Sequence, residues 1–386
     1  MSRPERCDAI VIGAGIVGAT SAYALTRAGL KVLVIDRGTL ASGTTSAGEG
    51  NILVSDKEPG PELDLALRSR DAWFELAQEI GNSFELEAKG GIVVARSEVG
   101  VSSLRELTSR QRGAGVSAED ISATELRKLE PHLSHSITEG AFYPQDSQCQ
   151  PMLATAQTLK YIIDRGGQFL PNLEVTSIKS SGGKIVGVET TSGFISSPVV
   201  INAAGTWAGE IAELAGSHLP IAPRRGFILV TVPMRKLIFH KVYDAEYVAN
   251  VASGAADLQS SAVVEGTQSG TILIGASRER VGFKEGIDYS VLRLLARQAI
   301  ELFPILAEVQ LLRAYRGFRP YAPDHLPVIG EDAQIKGLWH NAGHEGAGIG
   351  LAPASAQLIA ESLTGQRAFM DSTPFSPARF MQGAVA

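Results

Sequence analysis

Apolar and polar positions alternate with different periods along this chain. Ala9 to Ile12 (AIVI) and Lys31 to Ile35 (KVLVI) are almost wholly apolar, which predicts strands buried on both faces. Ala19 to Arg27, between them, has the spacing of a helix. Strand patterns return at Ile185 to Thr190, Gly193 to Ser197 and Val199 to Asn202, and "NLEVTSI" reads as a short strand. A capped amphipathic helix is expected over "PGPELDLALRSRDAWFELAQEIG". Near the end come a strand, a glycine loop from Gly343 to Gly350 and a long helix of small residues. From about Phe84 to Phe142 and from about Pro220 to Tyr315 the alternation is strand-like, as in "GGIVVARS", "GFILVTV" and "GTILIGAS", with a helix at "VLRLLARQAIELFP".

Glycines sit where the periods change. Gly13, Gly15 and Gly18 have GxGxxG spacing between the first strand and its helix. They serve a tight turn, close approach of backbone to a pyrophosphate, and packing of helix on strand; the N-terminus of the helix attracts phosphate charge, and Ile16 and Val17 in the turn before it are expected at the cofactor. Asp36 ends the second strand where an acid accepts hydrogen bonds from a ribose, with Arg37 beside it. The motif alone fits NAD or FAD. A nicotinamide domain ordinarily continues with helix and strand, whereas this chain enters the polar, glycine-rich loop Ala41 to Glu62. Such a loop supplies donors without bulk. Ser42, Gly43, Thr44, Thr45 and Ser46 are expected against a pyrophosphate and ribitol, and Gly48, Glu49, Gly50, Asn51 and Ile52 past an isoalloxazine. The small turn Ala203, Ala204 and Gly205, with Trp207 after it, suits a backbone lying along a nucleotide, and the main chain of Val175 suits adenine. The loop Gly343, His344, Glu345, Gly346, Ala347, Gly348, Ile349 and Gly350 opens a helix whose N-terminus carries roughly half a positive charge, aimed at the N1/O2 edge of a flavin.

Composition narrows the partners. The chain has 386 residues, 44% hydrophobic and 20% charged, with 41 glycines, so one large or two interlocked domains are expected. A net charge of -6 and a pI near 5.7 give no electrostatic footprint for nucleic acid or an anionic membrane. The start lacks the apolar core of a signal peptide and no run is long enough for a membrane span, so a cytoplasmic location is expected. Cys7 and Cys149 are too few for a four-thiolate cluster, and the histidines show no metal-ligand spacing.

"VIGAGIVGATSAYALTRAGLKVLVIDR", "VINAAGTWAG", "GFRPYAPDHLPVIG" and "NAGHEGAGIGLAP" together resemble the D-amino acid oxidase family of FAD enzymes, over essentially the whole chain. Within it, "GTTSAGEGNILVSDKEPGPELDLAL" is similar to the B subunits of bacterial opine (octopine or nopaline) oxidases and to D-hydroxyproline dehydrogenase subunits. The resemblance implies a mixed α/β fold. A Rossmann-like FAD-binding domain of the glutathione-reductase type would comprise 1–83, 143–219 and 316–386, and an antiparallel-sheet substrate domain 84–142 and 220–315. It implies that Arg319 in "GFRP" pairs with a substrate carboxylate, with Arg316 sharing the work, as a planar guanidinium does by two parallel hydrogen bonds. Gly317 and the "TTSAG" run offer no attachment point, so FAD is expected to be non-covalent. His240, Tyr243 and Tyr247 fall in the substrate region, and Tyr247 is taken as a substrate contact; Glu49 and Glu345 are placed to meet a cationic amine or guanidinium. The implied reaction is oxidation of a C–N bond, an opine giving an amino acid and a keto acid. The implied assembly is a hetero-oligomer with a second flavoprotein subunit and a small [2Fe–2S] subunit carrying their own cofactors. Alternatives are a D-hydroxyproline or D-amino acid dehydrogenase, a glycine- or sarcosine-type oxidase, and a non-catalytic FAD-binding subunit.

Overall fold

A computed structural model describes Pro4, residues 6–245 and residues 254–383. Its two large sheets carry the two periods. The first has six strands in the order Val328–Glu331, Leu338–Ala342, Val200–Asn202, Ala9–Ile12, Val32–Ile35 and Gln168–Leu170. All neighbours are parallel except Val328–Glu331, which pairs antiparallel at the edge.

Both faces of this sheet are covered, which is why its strands read as unbroken apolar runs. Ala9, Val11, Val32 and Val34 join the core beneath the helices Ile16–Arg27 and Gly348–Leu363. The alternate residues Ile10, Ile12, Leu33 and Ile35 face a three-stranded meander, packing with Val175, Ile178, Ile185, Val188 and Ile195. Two boundaries differ from the sequence reading. The first helix begins at Ile16, three residues earlier, since a helix start needs no apolar periodicity while its first amides face outward. The last helix begins at Gly348, after a 3-10 turn over Glu345–Ala347, so the tail of the expected glycine loop is helical.

The second sheet has eight strands in the order Leu311–Tyr321, Ala222–Thr231, Ile272–Arg278, Gln259–Gly266, Lys241–Asp244, Gly91–Ala95, Glu139–Tyr143 and Glu119–Ser122. It is antiparallel except where Lys241–Asp244 runs parallel to Gly91–Ala95. The helix Tyr289–Leu302 buries Val291, Leu295, Ala299 and Leu302, one stripe at helical spacing, in a core with Phe227, Leu229 and Ile274. Gly226 and Ile228, which alternate with those two strand residues, face the opposite side and line a cavity between the sheets. Leu311–Tyr321 continues in this sheet without a break across position 316. This is a mixed α/β arrangement, a Rossmann-like parallel sheet joined to a separate, mostly antiparallel sheet. Among the described residues, no helix is long and apolar enough to cross a membrane.

Candidate active site

The nucleotide end is built from backbone. Gly13 has φ +112°, and a Cβ there would overlap the Ala203 carbonyl oxygen, so the first turn and the small-residue turn touch directly. Asp36 accepts from the Ala14 and Gly38 amides, each at 2.7 Å, which fixes the loop around the end of its strand. The helix starting at Ile16 has no capping side chain and no acid in its first turn; the Ile16 amide donates to Thr45 Oγ1 at 3.0 Å. A helix N-terminus with no acid in its first turn favours an anion.

These elements open onto a cavity of about 900 Å³. Of the residues expected to bind a cofactor, Gly13, Gly15, Ile16, Val17, Asp36, Arg37, Ser42, Gly43, Thr44, Thr45, Gly48 and Asn51 line it from the N-terminal segments. Val175, Ala203, Ala204, Gly205, Trp207, Gly317, Arg319, His344, Glu345, Gly346, Gly348 and Ile349 line it from the rest of the chain. Seven expected residues lie off its wall, most of them with a packing task instead. A Cβ on Gly18 would overlap the Gly13 carbonyl, and one on Gly50 the Cys149 carbonyl. Ser46 Oγ donates to the Gly43 carbonyl at 3.1 Å, Ile52 pairs with Ser147 across a short ladder, and the Gly350 carbonyl accepts from Ser69 Oγ at 2.6 Å. Gly343 backs onto the Ile221 side chain, and Ala347 faces a neighbouring chamber.

The far end is built from charge. Arg319 stands opposite Arg224 in the antiparallel register, and Gly226 opposite Gly317. A Cβ on Gly226 would overlap the Arg319 guanidinium, so this glycine makes the space in which the guanidinium lies. Arg319 Nη1 donates to the Ser277 carbonyl at 2.8 Å. The neighbouring Phe318 carbonyl accepts from Thr44 Oγ1 and Thr206 Oγ1, both at 2.7 Å, which ties the early loop and the small-residue turn to the Arg319 strand. The first residues of the helix Gly348–Leu363 also line the cavity, again with no capping side chain and no acid in the first turn.

The remaining candidates divide. Glu49 lines the cavity, but its carboxylate belongs to a buried cluster, accepting from Asn51 Nδ2 at 2.9 Å and lying 3.5 Å from Lys241 Nζ, which is itself 3.1 Å from Glu265. Glu345 lines it with a carboxylate already engaged by Arg224 at 3.2 Å and His325 at 2.9 Å. Tyr247 lies outside the described residues. Tyr243 is fully buried, its hydroxyl donating to Ser55 Oγ at 2.6 Å, and His240 pairs with Glu130 at 2.9 Å; neither lines the cavity. Arg316 also stands off the wall, 3.5 Å from Glu285, while Gly317, Phe318, Arg319 and Pro320 after it line the cavity. Burial pushes the His344 imidazole down to about 3, so it is neutral at working pH. Sequence reasoning missed Arg224, His325 and Thr206. The first carried a signal: "PRRG" places two arginines directly before an apolar run, where a charge is retained only with partners.

A family model described as FAD dependent oxidoreductase matches residues 8–362. The chain belongs to this family. Hydrogen cyanide synthase subunit HcnC of Pseudomonas aeruginosa is 27% identical, with 98% of this chain and 97% of that protein covered. Glycine oxidase of Geobacillus kaustophilus is 28% identical with 97% of each covered. Among solved structures, L-proline dehydrogenase from P. horikoshii superposes with a TM-score of 0.90 at 25% identity, covering 100% of both chains. The cavity fits the cofactor of the family. FAD carries two phosphates, a ribose and a flavin ring, and the cavity is lined by the Asp36 acid, by the acid-free N-terminus of the helix beginning at Ile16 and by that of the helix beginning at Gly348.

Proposed function

We propose that this FAD-dependent oxidoreductase is an enzyme that oxidises the C–N bond of an amino-acid-derived amine. The observation that carries the reading is Arg319: a guanidinium seated in a glycine-made recess, on the wall of the cavity the cofactor would occupy. Bound FAD supplies the acceptor for the hydride leaving the α-carbon. Gly13, Gly15, Asp36 and the Ser42–Thr45 loop hold its nucleotide end, without a covalent bond, and the N-terminus at Gly348 favours negative charge at the other. Arg319 takes the substrate carboxylate by two parallel hydrogen bonds and thereby fixes the α-carbon. His344, buried against Ser355 at 3.1 Å, is neutral and adds no positive charge beside the amine, which reacts in its free form before water hydrolyses the resulting imine.

The likeness to glycine oxidase and L-proline dehydrogenase favours small amino acids and their N-substituted forms as the substrate class. The narrower opine reading, with its hetero-oligomer of a second flavoprotein and an iron–sulfur subunit, rests on the early loop segment and is a proposal about substrate and electron acceptor within the same reaction. The test is anaerobic bleaching of the flavin absorbance by glycine, sarcosine, D-proline, cis-4-hydroxy-D-proline, octopine and nopaline. Bleaching by any of them is the expected result. Silence throughout would leave an FAD-binding subunit without amine chemistry of its own.

A further inference from the structure

Beyond Arg319 the main cavity adjoins a second chamber of about 430 Å³, and the two share Arg319, His344, Glu345 and Gly346. The chamber differs in kind from the cofactor cavity. Its walls carry charged side chains of both signs, among them Asp56, Lys57, Glu62 and Arg278. Lys57 is nearly buried, with its ammonium 2.6 Å from Asp56 and 3.8 Å from Glu62. Arg278 is buried as well. Burial also holds the Glu62 carboxyl above its ordinary range.

The loop that presents Asp56 and Lys57 is fixed from behind. Gln111 Nε2 donates to the carbonyls of Ser55 at 3.1 Å and Lys57 at 2.7 Å, and Asp146 accepts from the amides of Val54 and Ser55. Taking an ion pair out of water costs several kcal/mol per ion, and such a pair is weak evidence for stability. A preorganised pair of charges on a chamber wall is, by contrast, a ready receptor for a polar group, because its orientation is set before the ligand arrives.

We infer that this chamber receives a second, charged arm of the amine substrate. The arm ends in a carboxylate toward Lys57 and Arg278, while Arg319, at the junction of the two spaces, holds the carboxylate beside the reacting carbon. Asp56 and Glu62 then accept a cationic substituent on the same arm. The inference rests on the amine oxidation proposed above and specifies its substrate class: secondary amines with charged groups on both sides of the nitrogen.

The test titrates the anaerobic FAD-loaded protein with sarcosine, which has one carboxylate arm, and with iminodiacetate and octopine, which have two, following both the perturbation and the bleaching of the flavin spectrum. Wild type is compared with Lys57→Met and with Ser103→Trp, the latter an exposed helix position on the chamber wall where a large side chain fills space without entering the core. FAD content identifies folded protein. The expected result is a dissociation constant for octopine raised about tenfold or more in both variants, with iminodiacetate following in Lys57→Met and sarcosine within about twofold of wild type. Equal weakening of sarcosine and octopine would make the chamber a common entrance, and unchanged octopine binding would make it irrelevant; either overturns the inference and leaves the reaction standing. If no amine bleaches the flavin, the reaction itself fails, and the spectral titration still decides whether the chamber discriminates two arms from one.

Discussion

The two ends of the cavity recognise their ligands by opposite means. At the nucleotide end, glycines and short polar side chains bring backbone amides to the wall, and Asp36 spends its carboxylate on two loop amides. At the substrate end, charged side chains join strands to turns, with Glu345 held between Arg224 and His325 and Arg319 anchored on the Ser277 carbonyl. At Gly13 the first design tolerates no added atom, whereas at Arg319 the second depends on charge. Substitutions should therefore separate, with steric ones abolishing cofactor binding and charge-removing ones sparing it.

The largest effect belongs to the backbone end. Gly13→Val adds side-chain atoms where φ is +112° and the Ala203 carbonyl already occupies the space, a conflict that costs on the order of 3 kcal/mol or more. Purified protein should carry less than about a tenth of the wild-type flavin, measured by the ratio of flavin to protein absorbance. Full flavin content would show that the turn does not hold the cofactor. At the charged end, Arg319→Ala should keep its flavin and lose substrate affinity by on the order of 100-fold, since charge-assisted hydrogen bonds contribute about 1.5–3 kcal/mol. Arg319→Lys should recover only part of that loss, because an ammonium keeps the charge and forfeits the two-pronged geometry. Unchanged substrate binding in the Ala variant would break the comparison at its main point.

A smaller effect sharpens it. Asp36→Asn presents an amide NH2 to either Ala14 N–H or Gly38 N–H, a donor facing a donor, and should weaken FAD binding by about tenfold without changing the substrate constant of the loaded protein. Equilibrium dialysis against FAD measures the first, flavin bleaching the second.

The same contrast explains what could be read from the sequence. The nucleotide end was legible because its elements are local: strand, glycine spacing, helix and Asp36 fall within the first 36 residues and are adjacent in space. The substrate end is assembled from segments far apart in the chain. Arg224 meets Glu345 across 121 positions, and Glu49 meets Lys241 across 192. No period or spacing encodes such pairs. His240 and Tyr243 looked eligible by type and region, yet the side chains that satisfy them, Glu130 and Ser55, lie on distant segments that sequence pattern does not bring together. Even at the nucleotide end the spacing did not separate glycines that face the ligand from glycines such as Gly18 and Gly50 that let two backbones touch.

The smallest effect tests whether pH sensitivity also resides in the charged half. Asp146 is 1% exposed and accepts from the Val54 and Ser55 amides at 2.9 and 3.2 Å, while its second oxygen accepts from Ser55 Oγ, which in turn accepts from Tyr243. Burial pushes its carboxyl up to about 7 against the hydrogen bonds that favour ionisation. The folded protein therefore keeps a proton between about pH 4 and pH 7 that the unfolded chain has released. More protons bound in the native state make stability fall as pH rises through that window; the contribution is complete below the unfolded value and lost above the folded one. Asn in place of Asp146 retains an oxygen for the two amides, turns an NH2 toward Ser55 Oγ, whose hydroxyl must rotate to accept it, and has nothing to ionise. Its Tm should match wild type near pH 4.5 and exceed it by on the order of 5 °C near pH 8, the gap opening with pH. A gap that stays constant would mean that Asp146 is ionised throughout, and that the loop bearing Asp56 and Lys57 is held by a buried charge instead of a neutral carboxyl.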